Sequence, residues 1–186
     1  MKRLFDLIIA ISILLLLVVP FLCIAFIVKL SSKGPILYWS DRIGKDNIVF
    51  KMPKFRTMLE GTPVVATHLL ENPDQYITGP GKFLRMSSLD ELPQLINIIK
   101  GEMSFVGPRP ALFNQKDLIS LRTQRGVHKL TPGLTGWAQI NGRDELPIAL
   151  KVELDEYYLI KKSFLFDLKI LFKTLLIVIK KQGVLH

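Results

Sequence analysis

The feature that most restricts what this chain can fold into is an uncharged run: residues 7–28 contain no Asp, Glu, Lys or Arg. As a helix these 22 residues would extend roughly 33 Å, about the thickness of a bilayer's hydrocarbon core. Pro20 lies deep inside the run. It removes a helical hydrogen bond and its ring clashes with the preceding turn, so a bend is expected there. Lys2 and Arg3 stand before the run, and Lys29 and Lys33 after it. A crossing helix usually carries its Lys/Arg excess on one side. A crossing helix and a re-entrant one both fit the length; the balanced flanks favour re-entry, with residues 1–30 dipping in and returning to the face they left. A cleaved signal peptide is not expected, because no small-x-small site precedes a polar start and Lys29 follows directly.

The other 156 or so positions are long enough for one core-forming domain, read as residues 31–186. A net charge of +9 at pH 7 calls for an anionic partner: nucleic acid, acidic lipid or a phosphorylated substrate. Charged residues make up 22% of the chain, which suits a polar domain with an embedded part better than a polytopic protein. The single cysteine, Cys23, excludes an intramolecular disulfide. His68, His128 and His186 show no zinc-ligand spacing.

Near the C-terminus, Lys162, Lys169, Lys173 and Lys180 recur at spacings of seven, four and seven among Phe, Leu, Ile and Val. On a helix they fall within about 40° of one another. Two readings stay open: an interfacial helix lying among lipid headgroups, or a core helix with a solvated lysine edge. Between the two apolar ends, residues 36–39 and 48–50 read as strands. Residues 60–80 read as loop around at most a short helix, Thr131-Pro132-Gly133 as a turn, and residues 146–160 as a helix. Residues 89–100 are the clearest soluble helix, with Leu92, Leu95, Ile96 and Ile99 on one face and Gly101 as its stop.

At the head of that helix lies Ser88-Leu89-Asp90-Glu91. Its bland reading is a capping box, with Ser88 as N-cap and Glu91 at the third position. Pro93 conflicts with it, because a helix begun at Ser88 would need the N–H that Pro93 lacks. Either the helix is distorted or it starts later and leaves the acids at its mouth. The company of the acids is basic: Lys54-Phe55-Arg56, Arg85, and Arg109 stiffened between Pro108 and Pro110. Two carboxylates beside several cations suit Mg²⁺-assisted phosphoryl chemistry. No Walker loop or G-x-G-x-x-G accompanies them.

These motifs, taken in order, resemble the small monotopic phosphoglycosyl transferases of the bacterial sugar transferase family across essentially the whole chain. They are Lys2-Arg3-Leu4-Phe5-Asp6, Asp41-Arg42-Ile43-Gly44, Lys54-Phe55-Arg56-Thr57-Met58 and Arg85, followed by Ser88-Leu89-Asp90-Glu91-Leu92-Pro93-Gln94-Leu95. After them come the stretch ending Gly107-Pro108-Arg109-Pro110, Pro132-Gly133-Leu134-Thr135-Gly136-Trp137-Ala138-Gln139-Ile140-Asn141-Gly142-Arg143, and Asp167-Leu168-Lys169. The resemblance implies an α+β, mainly helical fold: a re-entrant N-terminal hairpin and interfacial amphipathic helices supporting a small cytoplasmic catalytic domain. It implies transfer of a sugar-1-phosphate from a UDP-sugar to polyprenyl (undecaprenyl) phosphate, with UMP released and a covalent aspartyl phosphosugar formed on the way.

By the same resemblance Asp90 is the nucleophile, Glu91 assists proton transfer, and both hold Mg²⁺. Lys54, Arg85 and Arg109 contact phosphate, Gln139 and Arg143 contact nucleotide or sugar, and Pro20 bends the hairpin. The family's usual Ser-Pro pair is Val19-Pro20 here, so a side-chain bond to a freed carbonyl is lost. The implied setting is the cytoplasmic face of the bacterial inner membrane, in synthesis of surface glycans. Membrane lipids, a second copy of the chain and downstream glycosyltransferases are candidate partners; nucleic acid is not. With only six residues before the apolar run, the extra N-terminal membrane domain of larger relatives is not expected. Rival readings are a membrane-anchored module binding nucleic acid or acidic lipid, and an inactive scaffold. Trp39 and Trp137 are far apart in sequence and no RNA-binding signature is present, which weighs against the first; the intact dyad weighs against the second.

Overall fold

Pro20 shapes the N-terminal region from within a helix. Helices α1 (Lys2–Leu16) and α2 (Val18–Ser31) form a bent pair, with a 64° change of direction between them. The break falls at Leu17, three residues before the proline. There the missing N–H of Pro20 leaves the Leu16 carbonyl without its helical donor, while Leu17 N–H still reaches Ile13 O (2.9 Å) and Phe21 N–H reaches Leu17 O (2.8 Å). The computed structural model describes residues 1–63, 72–142 and 146–179; Arg143, His68, His186 and Lys180 lie outside them. Among the described residues no single helix is long and apolar enough to cross a membrane, but the bent pair together meets that test of length and composition.

Both arms of the pair pack one narrow stripe on the rest of the protein and leave the rest bare. Ala10 of α1 joins a core with Phe50, Met52, Leu95, Ile98, Met103, Phe105, Val106, Tyr158 and Ile170, and Ile24 and Val28 of α2 join a second with Phe55 and Leu84. Leu15, Leu16, Val19, Leu22 and Phe26, around and beyond the bend, are exposed. The outer ends are tied down by polar bonds. Lys2 Nζ donates to Val106 O (3.0 Å) and pairs with Asp167 (2.5 Å). Arg3 donates to the carbonyls of Ile98 and Ile99, and the buried Asp6 accepts from Phe105 N–H. At the far end Arg56 holds Ser32 through its carbonyl (2.8 Å) and hydroxyl (3.0 Å).

Strands β1 (Leu37–Ile43) and β2 (Val49–Phe55) pair antiparallel, from Leu37 opposite Phe55 to Ile43 opposite Val49. Asp46 and Asn47, both at positive φ (54° and 60°), turn the chain between them, a conformation short polar side chains tolerate. The expected strands at 36–39 and 48–50 are therefore the two ends of one longer ribbon. A second, parallel pair joins β3 (Ser104–Val106) to β4 (Gly133–Thr135).

The other described helices are α3 (Gly79–Met86), α4 (Leu95–Lys100), α5 (Lys116–Gln124), α6 (Trp137–Ile140), α7 (Ile148–Lys161) and α8 (Phe164–Ile179). The mixed, mainly helical architecture agrees with the expected α+β class. In the expected 60–80 loop, a short 3₁₀ turn spans Pro73–Tyr76. On α8, Asp167 and Ile170 are buried and Thr174 bonds Thr135 of β4 (2.7 Å), whereas Leu165, Phe172 and Leu175 are exposed beside Lys169 and Lys173. One edge of α8 is thus core and the remainder is an uncovered apolar surface. Lys162 does not belong to the stripe: it lies in the break between α7 and α8.

Candidate active site

The acid pair sits in a 3₁₀ stretch, Leu89–Gln94, that leads into α4. The capping box is not what forms. Ser88 adopts a left-handed conformation (φ 57°) and makes no side-chain cap bond. Pro93 supplies the reason: with no N–H at that position, an α-turn from Leu89 cannot close, so the tighter 3₁₀ winding carries the acids and the α-helix begins only at Leu95. The later start leaves Asp90 and Glu91 at the helix mouth. The buried face of this region is also offset from the expected one. Leu95 and Ile98 are buried, with Asn97 between them donating to Lys51 O (2.9 Å) and Glu102 (2.8 Å), while Ile96 and Ile99 are half-buried.

Three elements bring cations to the pair. Lys54, near the end of β2, reaches Glu91 Oε1 at 2.6 Å. Arg109, in the strap that follows β3, reaches the same oxygen at 3.2 Å. Arg85, in the last turn of α3, acts electrostatically on both acids. Three cations against two carboxylates leave a net positive site for an anionic substrate. Arg56, grouped with Lys54 in the sequence, is not part of it: its buried guanidinium serves Ser32 at the foot of α2.

The environment drives the two acids apart. Asp90 is only 6% exposed; burial pushes its carboxyl up to about 6, with Lys54 resisting and Glu91 adding to the rise. Burial also opposes ionisation of Glu91, but Lys54 and Arg109, through charge and hydrogen bonds, outweigh it and hold that carboxyl well below the usual range. Glu91 is therefore a fixed anion, and Asp90 a desolvated one whose counter-charges are largely engaged by its neighbour. Burial lowers the Arg85 guanidinium from its ordinary value while both acids resist. Among the described residues no three His, Cys, Asp or Glu cluster as a metal site. Among the described residues a divalent cation here would take these two carboxylates, which is the donor set Mg²⁺ uses when substrate phosphate and water complete its shell. Both ion pairs of Glu91 use Oε1, so the chemistry of the donors fits.

Tight backbone packing sets the strap. A Cβ on Gly107 would run into Thr131 O, and one on Gly133 into Gly107 N–H, so only glycines let β3 and β4 approach this closely. Gln139, at α6, lies against Gly136 beside Gly107, and its amide nitrogen and oxygen are both buried without a hydrogen-bond partner. Buried polar atoms without a partner are rare in a folded interior. Two further buried groups escaped the sequence reading: Arg122 of α5 and Asp155 of α7, an ion pair at 2.6 Å. Ordinary charged residues in ordinary helices, 33 positions apart, they carry no local signal.

An acid pair, Asp90 buried and Glu91 half-buried, set among three cations on a body joined to a bent apolar helix pair, has the chemistry that phosphoryl transfer uses. The bacterial sugar transferase family model matches residues 1–181, and the chain belongs to that family, as a transferase of the phosphoglycosyl transferase type. It is 44% identical over 183 residues to the UDP-glucose:undecaprenyl-phosphate glucose-1-phosphate transferase of Escherichia coli K12, covering 94% of this chain and 39% of that protein. The exopolysaccharide production protein ExoY of Sinorhizobium fredii is 41% identical over 197 residues, covering 98% of this chain and 87% of the relative. The uncharacterized sugar transferase EpsL of Bacillus subtilis is 40% identical over 185 residues, covering 99% and 90%.

Proposed function

We propose that the chain moves a sugar-1-phosphate from a UDP-sugar to polyprenyl phosphate in two displacements at one phosphorus. An Asp90 carboxylate oxygen attacks the β-phosphorus, the bond from that phosphorus to the bridging oxygen breaks, and UMP leaves with the oxygen. A phosphate oxygen of the lipid then attacks the same phosphorus. The Asp90–phosphorus bond breaks, the carboxylate is regenerated, and the product is a polyprenyl-diphosphate sugar. The carrying observation is the division of labour in the dyad: Glu91 engages Lys54 and Arg109, while Asp90 stays buried, ionised above about pH 6 and short of dedicated counter-charge. Desolvation of that kind makes an oxygen nucleophile. Lys54, Arg85 and Arg109 neutralise the diphosphate as charge shifts to the leaving group, and Gln139 offers its unpaired amide to nucleotide or sugar. Asp90 and Glu91 would hold Mg²⁺, which, when bound, supplies Lewis-acid polarisation of the phosphoryl oxygens. Fixed as an anion, Glu91 suits holding a cation better than delivering a proton.

The same reading places the protein on one leaflet of the bacterial inner membrane, on its cytoplasmic face. Both ends of the bent pair are bonded to one folded body, Lys2 and Arg3 at one end and Ser32 at the other. A crossing would require that body to be on both sides. With both ends at one surface, arms of 15 and 14 residues meeting at a 64° bend would bring the apex about 12 Å deep, less than half the hydrocarbon core. The uncovered apolar residues of α8 would lie in the same interface. The test is direct. Nanodisc-held protein given UDP-sugars and Mg²⁺ without acceptor should release one UMP per enzyme and gain one phosphosugar mass on Asp90. Steady UMP release with no adduct would overturn the covalent route, and an adduct that persists in Asp90→Asn would overturn Asp90 as its nucleophile.

A further inference from the structure

The most firmly held part of the site is the strap that carries Arg109, and what holds it lies outside the dyad. Four successive carbonyls of the strap are each taken by a different donor. Pro108 O accepts from Gly133 N–H (2.9 Å), Arg109 O from Arg122 Nη1 (2.8 Å), Pro110 O from Arg42 Nη1 (3.2 Å) and Ala111 O from Ile43 N–H (2.9 Å). Of these donors, the one bonded to Arg109 itself is a side chain with a rigid anchor of its own. Arg122 Nε and Nη2 both donate to Asp155 Oδ2, at 3.0 and 2.6 Å, and Asp155 is 1% exposed. Three N–H groups of one planar guanidinium thus fix a line from α7 through α5 to the Arg109 carbonyl, and the Arg109 side chain continues it to Glu91 at 3.2 Å.

A buried ion pair is a poor device for stability alone, because well-packed apolar residues often do as well or better. What an apolar pair cannot supply is a directed donor. We propose that Arg122, locked by Asp155, is the positioning residue that aims Arg109 at the substrate's diphosphate. The inference rests on the reading that Arg109 contacts that group. Arg122 touches neither acid; it acts by fixing the backbone from which the Arg109 side chain starts. Lysine cannot replace it, since one ammonium lacks the planar fork that serves carboxylate and carbonyl together.

The test is a double-mutant cycle on the full chain in nanodiscs, read first by calorimetric affinity for UDP, which needs no turnover, and then by kcat/KM for UMP release. Arg122→Lys should weaken UDP binding about tenfold and lower kcat/KM about 10- to 100-fold, the scale of a misplaced binding group. In an Arg109→Ala background the same change should cost less than about twofold, since nothing is left to aim. The pair Arg122→Met with Asp155→Leu keeps the interior filled and removes only the directed donor; it should reproduce the loss with an unfolding temperature no lower than that of the parent. Equal losses in both Arg109 backgrounds, or full UDP affinity in the Met/Leu pair, would overturn the proposal. Absence of UMP release from the parent enzyme would sink the proposed reaction but leave the UDP-binding cycle to decide the role of Arg122.

Discussion

Replacing Asp90 by Asn should abolish turnover and make the protein more stable. Asp90 is buried at 6% exposure, and its carboxyl is raised from 3.8 to about 6 chiefly by that burial. A raised acid pKa means the folded state resists the charged form. At 1.36 kcal/mol per unit, holding the carboxylate ionised at neutral pH costs the fold about 3 kcal/mol. Asn is close to an isostere of the neutral acid and escapes that cost. In a chain of this size the gain should raise the unfolding temperature by about 6 to 12 °C at pH 7.5. The pH dependence carries the sign. Above pH 6 the full difference between variant and parent is present; it shrinks as pH falls from about 6 towards 3.8, where the parent's own carboxyl takes up its proton, and is absent below that. Differential scanning of detergent-held protein from pH 4 to 8 would record it, with kcat/KM for UMP release falling on an acid limb near pH 6 in the parent and by roughly 10⁴-fold at all pH in the variant. An Asn variant no more stable than the parent at pH 7.5, or a gap that widens on acidification, would refute the claim that Asp90 is a charge held against its surroundings.

Three further outcomes follow from the same contacts. Lys54→Met removes the 2.6 Å partner of Glu91, so the Glu91 carboxyl should rise and its stabilisation, present at neutral pH and lost as pH falls through the folded value, should shrink; a loss of about 3 kcal/mol and of roughly 100-fold in kcat/KM is expected, and an unchanged melt would contradict it. Tyr158→Phe deletes a buried hydroxyl that donates to Asp167 at 2.6 Å and should cost about 1–3 kcal/mol, read as a lower unfolding temperature with UMP release per folded enzyme largely kept. Gly133→Ala forces a methyl against the Gly107 backbone; it should lower stability by about 1–3 kcal/mol and remove activity by shifting the Arg109 strap, and retention of both would show that β3 and β4 can part without harm.

What could be read in advance, and what could not, divides along the range of the forces involved. The bend was legible because proline's effect is local, and it appears within one turn of Pro20. The acid pair and its three cations were legible as residue types with the right chemistry. At Ser88 a local pattern, the capping box, met a local obstacle, Pro93, and the obstacle won, giving the later helix start that was one of the two alternatives. The helix face was misjudged for a related reason. Half of residues 89–100 wind at three residues per turn, so a 3.6-residue period laid over the whole stretch drifts out of phase, and Asn97 turns inward to satisfy the Lys51 carbonyl. Lys54 and Arg56 look equivalent in sequence, but Lys54 reaches Glu91 whereas the Arg56 N–H bonds the Ile36 carbonyl and its guanidinium bonds Ser32. Arg122 and Asp155 were invisible, since their meaning exists only when α5 and α7 pack together.

The meeting of the chain's two ends explains how the proposed lipid acceptor reaches a buried carboxylate. Lys2, in the first turn of α1, binds Asp167 of α8 and the Val106 carbonyl at the end of β3. Arg109 follows Val106 by three residues, which span at most about 10 Å of extended chain. The base of the apolar helix pair and the Arg109 side chain that grips Glu91 are therefore held at a short separation by three residues of the strap that follows β3. On the proposed one-leaflet reading, a polyprenyl phosphate would present its charged end at the surface, at the level where Lys2 and Arg3 are bonded. With the fold docked there, the acceptor phosphate needs to rise only about the length of that three-residue step to meet the net positive site. A loosely tethered domain would have to find this height by diffusion on every turnover; on the proposed reading the bonds of Lys2, Arg3 and Asp6 would set it once, when the protein folds.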